Sequence, residues 1–184
     1  DGRLIYLQQT PSGGAIPQFE PPVMNWQSID VGDYSSPQFF DLDSDQVPEL
    51  VIGEKNGNIN LYRSSGPLTG GSFSLVTDSL GKINVTNPML SYFGFSIPWF
   101  FRETGGTTSL LVGSEEGKIW YYPAVPGDPH SRFIESDTLY QWLAPGRSDT
   151  LFGWNSAPSA ASLTQHQAID LITGNFSGGM NFVS

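Results

Sequence analysis

Pro37-Gln-Phe-Phe-Asp41-Leu-Asp43-Ser-Asp45-Gln-Val47-Pro-Glu49-Leu-Val-Ile-Gly53-Glu-Lys-Asn-Gly57-Asn-Ile-Asn-Leu-Tyr62 is the stretch whose reading decides the fold. Leu50-Val51-Ile52 is a short apolar run bounded by turn residues, which reads as a buried strand. Ile59-Asn60-Leu61 alternates, which reads as a strand with one face turned inward. The Gly-x-x-x-Gly element between them predicts a β-hairpin, with Gly57 supplying positive φ.

The same order of features recurs. From Pro98-Trp-Phe-Phe101 the chain reaches Leu110-Leu-Val-Gly113-Ser-Glu-Glu-Gly117-Lys-Ile-Trp-Tyr-Tyr122. From Pro158 it reaches Asp170-Leu-Ile-Thr-Gly174-Asn-Phe-Ser-Gly178-Gly-Met-Asn-Phe182. A truncated copy, Gly2-Arg-Leu-Ile-Tyr6-Leu7, opens the chain. Gly2, Gly57, Gly117 and Gly178 therefore align. Leu4, Ile59, Ile119 and Met180 share one position after them, and Tyr6, Leu61, Tyr121 and Phe182 the position two residues on. Residues two apart lie on one sheet face, so both sets are predicted to point into the core. Phe19, Phe73 and Phe133 are predicted in the following strand of each unit. About four short strands per sixty or so residues is the period of a propeller blade. The expected fold is all-β, with propeller-type blades of about four antiparallel strands forming a partial or fragment propeller. The expected organisation is one repeat domain over 1–184: a partial repeat at 1–30, a repeat with an acidic loop at 31–90, a degenerate repeat at 91–150 and a partial repeat at 151–184.

Composition agrees with a folded chain. Aromatic residues make up 13% and charged residues only 14%, the reverse of a disordered composition. The net charge of −10 with eight Lys and Arg leaves no basic patch to neutralise phosphates, which excludes non-specific nucleic-acid binding. No apolar stretch has the length of a membrane helix, so no direct membrane insertion is expected. The absence of Cys excludes disulfides, thiolate metal sites and Cys nucleophiles. No signal peptide opens the chain, which is expected to be a mature product or an internal fragment.

The richest chemistry lies in the loop Asp41-Leu-Asp43-Ser-Asp45-Gln-Val47-Pro-Glu49. Carboxylates at alternate positions wrap around a hard cation as a loop curls, and Ca²⁺ takes six to eight oxygen ligands. The expected set is Asp41, Asp43, Asp45, the carbonyl of Val47 and Glu49, completed by water. The loop is not an EF-hand, because Ile52 stands where a bidentate Glu is required. The alternative is an acidic turn with no metal. Gln46 occupies the position where glycine would ease the turn. The second repeat carries Arg102, Thr104 and Gly106 near the acidic positions, and the third carries Ser162, Thr164 and His166 with only Asp170 retained. Those loops are expected to be metal-free.

These residues resemble the FG-GAP and VCBS repeat families, whose pattern is an aromatic-Asp-x-Asp-x-Asp-Gly loop, a Leu-x-x-Gly strand end and a Gly-initiated strand ending in Tyr. Phe40-Asp41-Leu-Asp43-Ser-Asp45, Leu50-Val-Ile-Gly53 and Gly57-Asn-Ile-Asn-Leu-Tyr62 match it, with Gln46 in place of Gly and Glu49 in place of Asp. The resemblance implies propeller blades, structural Ca²⁺ and occurrence in adhesins and large secreted proteins. The style of repeat is similar to that of Bacteroidetes surface proteins exported by the type IX system. In that setting Asp78-Ser79-Leu80, Asp137-Thr138-Leu139 and Asp149-Thr150-Leu151 resemble O-glycosylation acceptors at Ser79, Thr138 and Thr150.

Together these readings predict a non-catalytic, calcium-associated module of a secreted or cell-surface protein, serving adhesion or scaffolding. Its expected partners are other domains of the same large surface protein or the secretion machinery, and glycans. The alternative is a lectin-like propeller or an accessory domain of a glycan-processing enzyme, with Trp142 and Trp154 as candidate sugar platforms. Catalysis requires a positioned base or a second carboxylate pair. His130 and His166 fall in presumed loops, and Glu115-Glu116 in a hairpin turn read as a solvated face.

Overall fold

The computed structural model describes residues 1–11, 16–66, 71–139, 152–161 and 170–183. These residues form a predominantly β structure of antiparallel sheets with two to four strands each. Strands β5 (Ser36–Phe40), β6 (Glu49–Gly53), β7 (Ile59–Ser64) and β8 (Phe73–Thr77) make one four-stranded meander. Strands β9 (Ile97–Arg102), β10 (Thr108–Gly113) and β11 (Ile119–Tyr122) make a three-stranded sheet, as do β12 (Ala157–Ala161), β13 (Asp170–Gly174) and β14 (Met180–Val183). At the N-terminus, β1 (Ile5–Tyr6) pairs with β4 (Val23–Met24), and β2 (Gln9–Thr10) with β3 (Gln18–Phe19).

The register follows from the hairpins. Gly53 pairs with Ile59 and Gly113 with Ile119, each across a loop closed by a glycine. Gly57, Gly117 and Gly178 have φ of 85°, 91° and 83°, and each donates its N–H to the carbonyl three residues earlier at 3.1 Å. A side chain there would strain the left-handed backbone. Gly2 departs from the expectation: it is not among the positive-φ residues. It is needed for close approach instead, because a Cβ at Gly2 would lie 2.6 Å from the Gly32 nitrogen.

Successive sheets stack face to face through the same contacts. At the junction between β5–β8 and β9–β11, Gly53 lies against the Ser96 carbonyl and the Pro98 ring. Ser96 Oγ accepts from the Glu54 N–H at 2.9 Å and donates to the Asn58 carbonyl. At the next junction Gly113 lies against Ser156 and Pro158, Ser156 Oγ accepts from the Ser114 N–H at 3.1 Å, and it donates to the Lys118 carbonyl at 3.1 Å. The first strands run side by side: Gln38 exchanges two hydrogen bonds with the Phe100 backbone, and Trp99 Nε1 donates to the Ala160 carbonyl.

Three core clusters fill the interfaces. Leu4 and Ile29 cover Leu50 and Ile52. Val51, Ile59 and Leu61 meet Phe100, Leu110 and Val112, with Leu80, Ile83, Val85 and Phe133 from the connecting segments. Leu111, Ile119 and Tyr121 meet Ala160 and Leu171, with Leu139 and Phe152. Burial of these apolar faces is the main stabilising term, at about 25 cal/mol per Å².

Three expectations fail in detail. Met180 and Phe182 are 83% and 55% exposed, because no described element covers that face of β14. Phe133 is not in a strand; it is buried in the connection after β11, where its ring fits over Gly81. Among the described residues only the β5–β8 sheet has four strands, the others having two or three.

Candidate metal centre

The acidic loop spans the turn between β5 and β6. Ser44 and Gln46 take left-handed φ of 65° and 70°, so the chain curls twice within six residues. Side-chain carboxylates hold the curl from inside. Asp41 Oδ2 accepts from the Gln46 N–H at 3.1 Å, Asp43 Oδ1 from Asp45 at 3.3 Å, and Asp45 Oδ1 from Val47 at 2.8 Å. Glu49, the first residue of β6, is only 1% exposed. Its Oε2 accepts from the Leu42 N–H at 2.9 Å, which ties the start of the strand to the start of the loop.

Asp41, Asp43 and Glu49 each bring a carboxylate oxygen to within 4.8 Å of the others. Asp45 stands outside this trio, engaged with the Val47 N–H, and Val47 is 37% exposed. Asp41 Oδ1 is sealed from solvent and has no hydrogen-bond partner. A buried carboxylate oxygen without a donor is costly, and a cation held between the three carboxylates would offset that cost. The donor set is all oxygen and anionic, which fits a hard divalent ion such as Ca²⁺.

Two arginines border the site. Arg63 Nη2 donates to Asp43 Oδ2 at 2.7 Å and its Nε to Glu49 Oε1 at 3.2 Å. Arg102 Nη2 donates to the Asp41 carbonyl at 2.8 Å and to Ser44 Oγ at 2.9 Å, with its guanidinium over the Phe40 ring. Sequence reasoning noted Arg102 only as a lost ligand of the second repeat and passed over Arg63. The hairpin register carried the signal for Arg63: Leu50 pairs with Tyr62, so Glu49 and Arg63 follow directly.

The corresponding places in the second repeat hold different chemistry. Ser109 replaces Glu49, and Glu103 Oε1 accepts from Ser109 Oγ and, at 2.7 Å, from the Tyr121 hydroxyl. Burial, followed by this bond to Glu103, pushes the Tyr121 phenol up to about 12. Of the third repeat, Asp170 is buried at the start of β13, while Ser162, Thr164 and His166 lie outside the described residues.

The remaining candidates are placed as follows. Ser79 is exposed beside buried Leu80. Thr138 is half-buried, and its hydroxyl is 2.9 Å from Ser136 Oγ. Thr150 and Trp142 lie outside the described residues. Trp99 and Trp120 are strand residues of β9 and β11, and Trp154 is 54% exposed. Glu115 and Glu116 are half-buried rather than fully solvated. Asn87 Nδ2 donates to Glu116 Oε2 at 2.7 Å.

No protein-family model, curated protein or solved structure matches this chain.

Proposed function

We propose that this chain is a non-catalytic, calcium-associated repeat module of the propeller type, resembling FG-GAP and VCBS repeats, from a secreted or cell-surface protein, where it serves adhesion or scaffolding. The observation that carries the reading is the trio Asp41, Asp43 and Glu49 with a sealed, unpartnered Asp41 Oδ1, set at the entry to a strand buried along its whole length. The ion's role is structural: it holds together the carboxylates that pin the turn before Leu50-Val51-Ile52. The repeated stacking of sheets supports the propeller-type reading, since each unit buries a face only by meeting its neighbour. An acidic surface with net charge −10 suits an environment rich in divalent cations.

Calcium binds the folded loop and not the unfolded chain, so it raises the melting temperature by linkage. Calorimetry and thermal melts of chelated protein test this. Millimolar calcium is expected to give binding heat and a higher Tm, and Asp43→Ala is expected to abolish both while β9–β11 stays folded. Neither heat nor thermal shift in the unsubstituted chain would reduce the loop to an acidic turn.

A further inference from the structure

The two internal junctions define what covers the back of a sheet. Behind β5–β8, the face made by Val51, Gly53, Ile59 and Leu61 is sealed, with exposures of 0% at Val51, Ile59 and Leu61. Behind β9–β11, the face made by Leu111, Gly113, Ile119 and Tyr121 is sealed in the same way. In both, the covering unit begins with a left-handed residue followed by Ser-x-Pro: Phe95-Ser96-Ile97-Pro98 with φ 49° at Phe95, and Asn155-Ser156-Ala157-Pro158 with φ 53° at Asn155. The serine clasps the hairpin loop of the sheet in front, and the proline ring fills the space left by a strand-end glycine. A backbone pair closes each junction, from Phe95 N–H to the Lys55 carbonyl and from Asn155 N–H to the Glu115 carbonyl, both at 3.0 Å.

The third sheet repeats the socket without its plug. Ile172, Gly174, Met180 and Phe182 occupy the same positions by register. Gly174 has nothing within 4 Å of where a Cβ would stand, whereas Gly53 and Gly113 are both in close contact there. Met180 is 83% exposed where Ile59 and Ile119 are fully buried. The opposite end is complementary: Pro37 of Tyr34-Ser35-Ser36-Pro37 is exposed where Pro98 and Pro158 are buried, and Tyr34 already takes the left-handed φ of 57°.

We propose that the face of Ile172, Gly174, Met180 and Phe182 is the docking surface for one further unit of the same kind, whose first strand opens with a left-handed residue and Ser-x-Pro. The occupant is specified by the chemistry of the two filled sockets: a serine hydroxyl for the Gly174–Gly178 loop and a proline ring for Gly174. A second copy of the chain does not present this unit intact, because Leu4 and Ile29 already cover its Leu50 and Ile52. The inference rests on the repeat part of the functional reading and not on calcium.

The test is a chain lengthened past Ser184 by a second copy of residues 64–122, which keeps register because Gly178 aligns with Gly57. Hydrogen exchange at β13 and β14 is expected to slow at least about tenfold relative to the 184-residue chain. Gly174→Val is expected to cancel that slowing in the lengthened chain and to change nothing in the original one. Unchanged exchange, whether because the appended unit fails to order or because it folds apart, would overturn the proposal. So would indifference of the lengthened chain to Gly174→Val, or sedimentation showing that the 184-residue chain dimerises through this sheet. The calcium response of both chains is measured alongside: its absence with slowed exchange removes the calcium reading alone, and its presence with unchanged exchange removes the docking surface alone.

Discussion

Arg63 shows how much one side chain decides in the acidic loop. It is 44% exposed along its length, yet its guanidinium reaches both Asp43 and the sealed Glu49. Exposure screens the pairing, but Glu49 loses a charge-assisted bond if the arginine goes. Arg63→Gln is therefore expected to lower calcium-free stability by about 1–2 kcal/mol. It is also expected to tighten calcium binding, because the guanidinium partly neutralises two of the three carboxylates. Urea melts in chelator and calorimetry with calcium check the two effects, and an unchanged affinity would show that Arg63 and the ion do not compete. Gln46 was legible at this scale: its place in the loop demanded a left-handed residue, and its φ is 70°. The trio was legible in part. Alternation named five ligands, but which carboxylates converge depends on how backbone N–H groups use up their oxygens, and Asp45 is taken by Val47.

Strands read well wherever the glycine pattern set a hairpin. The register of Gly53 with Ile59 and Gly113 with Ile119 follows from turn geometry, which is local. What replaces the acidic cluster in the second sheet was not legible, since Glu103, Ser109 and Tyr121 meet only once β9, β10 and β11 pair. Their arrangement has a consequence at high pH. Tyr121 is raised from 10.0 to about 12, by burial first and by the Glu103 bond second, and burial likewise raises Tyr122. Unfolded tyrosines ionise near pH 10 while the folded ones still hold their protons, so the unfolded state gives up protons first. Stability contributed by these groups is full below pH 10 and is lost as pH rises toward 12. Denaturant melts between pH 9 and 12 are expected to show a fall that is shallower in Tyr121→Phe. Equal slopes would mean that Tyr121 ionises freely in the folded chain.

Across the whole molecule, burial is unequal. Most of the largest sealed side chains, including Leu50, Ile52, Ile59, Leu61, Phe100, Leu110, Ile119 and Val112, belong to β5–β8 and β9–β11. The sheet β12–β14 is covered on one face only. In a stacked array each sheet's stability is a sum over its junctions, so native-state hydrogen exchange is expected to be slowest in β6, β7 and β10 and fastest in β14. Uniform protection across the three sheets would indicate a single cooperative unit instead.

The sequence alone determined that the chain is all-β, where its hairpins turn, and that one loop of one repeat concentrates carboxylates. Each of these depends on residues within about ten positions of one another, where turn chemistry and side-chain alternation act directly. The tertiary structure decided which of the repeated faces are sealed. It made a positive-φ turn of Gly57 but a close-approach contact of Gly2, and it put Phe133 over Gly81 rather than in a strand. It also buried Ile59 and Ile119 while leaving the aligned Met180 open. Local pattern fixes which way a side chain points from its own sheet, but burial depends on whether another sheet arrives to meet it, and that is set by residues some forty positions away, such as Ser96 on Glu54 and Ser156 on Ser114.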